Sequence, residues 1–265
     1  MEIIGYIASI TIGLSLGLIG GGGSILTVPV LVYFFGVSPV LATAYSLFIV
    51  GLSSLIGVVP KYKQGFISIP TTIVFGIPSI IAVFLTRKHL VPAIPEHIGN
   101  IGHLEITKSL LMMVLFAILM LLASISMIRS KTNIEEEVMN KQEFNYPLIL
   151  IEGTLVGVLT GFVGAGGGFL IIPALVLLSK LPMKKAIGTS LLIIALKSLI
   201  GFLGDLSQES QIIDWNFLLT ITSLAILGIF IGNKLSIKVD GAKLKKGFGW
   251  FVLVMGVYVL FRELL

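Results

Sequence analysis

The chain has 265 residues, 56% of them hydrophobic and 12% charged, with a net charge of +5 and no cysteine. A soluble domain carries about a quarter charged residues, so this composition excludes an ordinary globular protein and points to an all-α polytopic membrane protein. Without cysteine there is no disulfide, thiolate metal site or cysteine nucleophile, and because Lys and Arg cluster in short loops, the positive charge reads as a topology signal, with no nucleic-acid partner.

No charge occurs from Ile3 to Val59. Met1-Glu2-Ile3 lacks the basic start of a signal peptide, so the first apolar run is expected to stay in the membrane. Residues 3–19 are apolar and stop at Gly20–Gly23, and residues 24–35 form a second, shorter piece. One helix over both would reach about 50 Å, too long for one crossing of a ~30 Å core. They read as two pieces meeting at a break, either a re-entrant pair or a steep hairpin. A turn at 36–39 leads to a span over 40–59, a basic loop at 60–65, and a span over 67–85 with Pro78 as a kink. Residues 87–108 read as a long polar loop, and 109–128 as the next span.

The charged stretch 129–145 separates two halves, with boundaries drawn at 1–128, 129–146 and 147–265. The second half repeats the plan. Apolar pieces at 147–163 and 169–178 are followed by spans at 186–203, 215–231 and 247–261. The loops between them are basic at 180–185, acidic at 204–214 and strongly basic at 233–246. Tyr62, Tyr146 and Trp215 fall near segment ends, as an aromatic belt predicts.

The repeat is explicit in the glycines. Gly17-Leu18-Ile19-Gly20-Gly21-Gly22-Gly23-Ser24 recurs as Gly161-Phe162-Val163-Gly164-Ala165-Gly166-Gly167-Gly168. Gly17 and Gly161 are 144 residues apart, and so are Pro29 and Pro173. Each glycine costs a helix about 1 kcal/mol against alanine, and lipid cannot satisfy the backbone groups a break sets free. Such a break is tolerated inside protein or beside water, where a restarting helix turns its N–H groups and positive dipole end inward. Paired breaks in two halves mark the central binding site of a transporter.

Loop charge sets orientation. Lys61 and Lys63 place 60–65 in the cytoplasm, and Lys180, Lys184 and Lys185 do the same for 180–185. The turn at 36–39 then lies outside, although its mate by the 144-residue offset lies inside. The halves are therefore expected to be inverted repeats of about five segments each, with the linker inside and the broken helices meeting near the membrane midplane. Arg87, Lys88 and Lys108, in a loop that should face outside, strain this scheme. A parallel arrangement of four spans per half remains the alternative.

Only Lys197 and Glu152 lie well inside apolar segments. A charge there costs at least about 2.5–3.5 kcal/mol and is functional by default. Lys197 is read as an anion-binding charge lining the cavity. Glu152, about one turn into its segment, is read as its partner or a proton carrier. Small hydroxyls recur at matched positions: Tyr45-Ser46 with Thr189-Ser190, and Ser53-Ser54 with Lys197-Ser198. The expected lining is therefore Ser46, Ser53, Thr189, Ser190 and Lys197, with Gly20, Gly21, Gly22, Gly23 and Ser24 from one break and Gly164, Gly166, Gly167 and Gly168 from the other. Ordinary helix packing by small residues competes with this reading at each hydroxyl. Neither glycine run carries the lysine of a phosphate-binding loop, and no metal-ligand spacing links His89, His97 and His103. No catalytic residue, metal or cofactor is called for.

At these motifs the chain resembles the TauE/SafE sulfite-exporter family. The likeness rests on the duplicated glycine run with its proline, and on Ala42-Thr43-Ala44-Tyr45-Ser46 and Ala186-Ile187-Gly188-Thr189-Ser190. It implies a cytoplasmic-membrane transporter of sulfur-containing anions such as sulfite, thiosulfate or organosulfonates. The physics agrees in sign, since helix N-termini, glycine N–H groups, hydroxyls and one buried lysine all favour an anion. The expected partners are a small anion and the lipid bilayer.

Overall fold

Apolar runs of this length wind into helices, and glycine or proline ends them. The computed structural model describes residues 2–101, 104–129, 146–164, 166–177, 181–206, 213–236 and 241–264. In the first half α1 (Glu2–Ile19) passes through a 3-10 turn (Gly21–Leu26) into α2 (Thr27–Phe35). Then come α3 (Pro39–Lys63), α4 (Ile69–Leu85) and α5 (Lys108–Arg129). The second half holds α6 (Tyr146–Val163), α7 (Gly168–Leu177), α8 (Met183–Leu206), α9 (Trp215–Leu235) and α10 (Gly241–Leu264). Among the described residues, five helices are long and apolar enough to cross a membrane. The 144-residue offset carries α1 onto α6 residue for residue, and α3 onto α8 at its start.

Helix α4 shows large aliphatic residues outside and small or polar ones inside. On α4, Ile69, Ile73, Ile77, Ile81 and Leu85 are each about half exposed and recur every four residues, a ridge suited to lipid. The opposite face buries Thr71, Thr72, Phe75, Ser79 and Ala82. This alternation follows from the solvent: lipid rewards large aliphatic side chains on the surface, and small residues let helices approach inside.

Glycines set the helix contacts. Gly13 and Gly17 of α1 lie on the backbone of Ala225 and Ile229 of α9, in parallel, and Gly228 and Gly232 return the contact. Gly153 and Gly157 of α6 lie in the same way on the backbone of Phe75 and Ser79, and Gly161 on the Thr86 side chain. These small-xxx-small steps in both halves are a signal the reading of the chain had passed over. Two other pairs are antiparallel. Gly51 of α3 meets Leu199 and Gly57 meets Leu191 of α8, while Gly249 and Gly256 of α10 meet Met127 and Met120 of α5. Exchanging the two halves turns the α1–α9 pair into α6–α4 and maps α3–α8 and α5–α10 onto themselves.

Two boundaries differ from the sequence reading. The polar loop expected at 87–108 is largely structured: α4 continues through a π turn (Thr86–Leu90) and a last helical turn (Val91–Ala93). An antiparallel hairpin then follows, β1 (His97–Ile101) with β2 (Leu104–Thr107). It is the one departure from the all-α class among the described residues. The first residues of the acidic loop expected from 204 are helical, because α8 runs on to Leu206 and takes in Asp205. In both cases buried packing extends the helix past the first charge. The linker drawn at 129–146 falls outside the described residues except at Arg129 and Tyr146.

Candidate functional site

The two glycine breaks touch backbone to backbone. A Cβ on Gly21 would meet the Cα of Gly168, and one on Gly168 would meet the backbone of Gly21. Beside this contact α3 and α8 cross, with the pairs Gly51–Leu199 and Gly57–Leu191 bracketing Ser53 and Lys197 at the same level. The meeting of the broken helices expected from the repeat is thus present.

The breaks differ in conformation. The first has one left-handed glycine, Gly20 at φ 76°, and then Gly21, Gly22 and Gly23 wind into the 3-10 turn. The second has three, Gly164, Gly166 and Gly167, at φ 69°, 62° and 68°. A left-handed residue with a side chain costs about 1–2 kcal/mol, so glycine is required there by backbone as well as by space.

Lys197 lies against the second break. It is fully buried, and its Nζ donates to Thr160 Oγ1 at 3.0 Å. A Cβ on Gly167 would lie 2.8 Å from the same nitrogen. No carboxylate forms an ion pair with Lys197 among the described residues. An ammonium carries three donors, and one hydroxyl does not balance a buried positive charge. Next to it, Ser198 Oγ sits 3.3 Å from the Cβ position of Gly166. Ser198, Ser53 and Ser54 are fully buried, and their hydroxyls have no partner among the described residues. The centre therefore gathers one cation, several open hydroxyls, two glycine turns and the positive end of α7.

The structure thus brings together Gly21, Gly166, Gly167, Gly168, Ser53 and Lys197. Gly23 packs on Ser15 and Leu16, and Ser24 Oγ donates to the carbonyl of Gly21 at 2.8 Å. Ser46 is buried without a partner among the described residues, but it lies seven residues from Ser53, about 10 Å along α3. Ser190 donates to the carbonyl of Ile187 at 2.9 Å, a local bond within α8. Glu152 is half-buried on α6, eight residues before Thr160 and about 12 Å from it along the helix, so Thr160 rather than Glu152 holds Lys197.

Thr189 and Tyr45, matched in sequence, do matched work at opposite ends. Tyr45 Oη accepts from the Asp214 N–H at 2.7 Å, and Thr189 Oγ1 accepts from the Ser68 N–H at 2.9 Å. Each pins the start of a neighbouring helix. Tyr45→Phe keeps the ring on Phe217 but orphans a partly buried N–H, and is expected to cost about 1–3 kcal/mol. Thermal unfolding in detergent measures it, and an unchanged midpoint would show the bond to be idle.

Sequence reading missed Thr160, Ser198, Arg87 and Asp205. Ser198 could have been found as the residue beside Lys197, and Thr160 as the one polar residue in the last two turns of its span. Arg87 and Asp205 were assigned to loops, and only the packing places them inside.

These features describe a multi-pass membrane protein of two glycine-broken halves packed around a buried cation. The family model for the sulfite exporter TauE/SafE matches residues 6–259, and the chain belongs to that family. It is 29% identical over 259 residues to a probable membrane transporter protein of Xylella fastidiosa (strain 9a5c), covering 95% of this chain and 92% of that protein. It is 23% identical over 252 residues to the probable membrane transporter protein YdhB of Bacillus subtilis (strain 168), covering 94% and 96%. It is also 32% identical over 129 residues to the probable membrane transporter protein MJ0441 of Methanocaldococcus jannaschii, covering 45% and 48%. No solved structure matches. The chain is accordingly a multi-pass membrane transporter of the cell membrane, as the glycine motifs led one to expect.

Proposed function

We propose that the chain is a secondary transporter of small anions, with sulfur oxyanions or organosulfonates as its substrate class, working by alternating access between inverted halves. Lys197 carries the reading. It is a fully buried cation at the crossing of α3 and α8, held by one hydroxyl and packed against the second glycine break. An oxyanion would supply the charge and acceptors that Thr160 alone does not. The family supports the substrate class, and the sign of the site agrees with it.

The antiparallel α3–α8 and α5–α10 pairs support inversion, since each joins one helix to its own repeat mate. Loop charge supports the orientation. Lys61, Lys63, Lys184 and Lys185 gather at the end where α4 and α8 start, which is assigned to the cytoplasm. The opposite end carries Asp205 and Asp214. Two of the cations that strained this scheme are internal, since Arg87 pairs with Asp205 and the buried Lys108 lies 3.7 Å from Glu96, while Lys88 is exposed and sits over the Phe84 ring.

Counterflow tests the reading. Proteoliposomes loaded with unlabelled sulfite should take up radiolabelled sulfite faster than empty ones, with saturable kinetics. Flux that neither saturates nor responds to internal sulfite would replace alternating access by a passive channel. Counterflow of carboxylates but no sulfur anion would overturn the substrate class.

A further inference from the structure

A second cation lies on the same glycine break, at its other end. Arg87, in the π turn that extends α4, is fully buried. Its Nη1 donates to Thr43 Oγ1 of α3 at 3.0 Å and lies 3.4 Å from Asp205 Oδ1 of α8. A Cβ on the left-handed Gly164 would lie 2.6 Å from its Nη2. Asp205 is 1% exposed, and its Oδ2 has no partner among the described residues. One buried pair thus ties α3, α4 and α8 to the second break, at the end assigned to the outside.

The other half builds the matching corner without an acid–base pair among the described residues. By the 144-residue offset the mates of Gly164, Thr43, Arg87 and Asp205 are Gly20, Ile187, Ile231 and Lys61. Ile187 covers Gly20 as Thr43 covers Gly164, but no ion pair is formed there among the described residues. The Arg87–Asp205 pair is therefore not repeated by the mated positions, where Ile231 stands for Arg87 and Lys61 for Asp205. A buried pair is also weak evidence for stability, because desolvation offsets its attraction. The π turn that presents Arg87 is a rare feature that occurs frequently at functional sites.

We propose that Arg87 is an outer anion subsite, occupied by Asp205 in this structure, where a substrate oxyanion exchanges with the Asp205 carboxylate on its way to or from Lys197. Guanidinium matches the paired oxygens of a carboxylate and of a sulfur oxyanion alike, so the two compete for one group. Gly164 and Gly167, three residues apart, connect the subsites along one break. When the anion takes Arg87, the tie between α4 and α8 is released, and the outer end opens. The inference rests on the anion-transport reading and adds a second station to it.

Two readouts on the full chain in nanodiscs test it. The first is sulfite affinity by calorimetry. Asp205→Asn should bind sulfite at least about tenfold more tightly than the unmodified chain, Arg87→Gln in the same background should remove that gain, and Lys197→Ala should leave the gain in place. The second readout needs no ligand. The chain has no cysteine, so Ser46→Cys, one turn inward of Thr43, is a single reporter thiol. A membrane-impermeant maleimide added from the outside should label it at least about ten times faster with Asp205→Asn than without. If Asp205→Asn does not fold, the neutral pair Arg87→Gln/Asp205→Asn takes its place, and should label faster yet bind sulfite no more tightly than the unmodified chain. Sulfite binding that depends on Lys197 but is indifferent to Asp205 would keep the transport reading and overturn the Arg87 subsite. No sulfite binding in any variant would overturn both, and equal labelling rates would overturn the release of the outer end.

Discussion

Lys197→Met should lower sulfite counterflow at least about 100-fold and at the same time raise the temperature of unfolding. The two effects have one cause. The ammonium is fully buried, and Thr160 Oγ1 is its single protein acceptor among the described residues. Without ligand the charge is a cost to the fold, and methionine fills nearly the same volume without it. Replacing buried ionic groups by apolar side chains of similar size often stabilises by about 1–4 kcal/mol. With ligand the charge supplies charge-assisted hydrogen bonds worth about 1.5–3 kcal/mol each, and about 2.7 kcal/mol corresponds to the 100-fold loss. Counterflow and thermal unfolding on one preparation check both. A variant that transports normally removes Lys197 from the site. One that loses transport and also loses stability makes the lysine a structural group whose partner is already in the protein.

Gly168→Ala should abolish transport and cost several kcal/mol of stability, although it adds one methyl group. That methyl would overlap the backbone of Gly21. Overpacking a core with side chains that can turn aside costs about 1–3 kcal/mol. Here the obstacle is main chain from the other half, so the two breaks must separate. Gly36→Ala is the control. Gly36 has φ 68° and nothing within 4 Å of the Cβ position, so only the left-handed backbone is penalised, by about 1–2 kcal/mol. Purified yield, thermal midpoint and counterflow of the pair separate backbone strain from collision. Equal effects would show that the breaks yield freely, and the contact between them would lose its central role.

Much of this fold was legible because membrane segments and glycine are loud signals. The uncharged run to Val59 and the spacing of apolar stretches follow from bilayer thickness, which acts on each segment alone. The duplication was legible because Gly20 and Gly164 both need φ above zero, which few other residues supply, so the motif survives in each half. Lys197 stood out because a charge among so many apolar neighbours has few innocent explanations.

Other features depend on partners far away in the chain. Arg87 and Asp205 look like the first polar residues after a span, and they become interior because each finds the other 118 residues away. Thr189, expected at the substrate, accepts from the Ser68 N–H of a helix from the other half, a bond no sequence spacing announces. Thr160 is one hydroxyl among many until α8 brings Lys197 to it. The sequence by itself determined a two-fold set of membrane helices broken at matched glycines with one cation in their midst, since these follow from each segment's own dealings with lipid and from backbone sterics. Only the tertiary structure decided which hydroxyls pin helices and which stay without a partner among the described residues, and that a second cation shares the same break, because hydrogen bonds and ion pairs act over about 3 Å and are set by which helices meet.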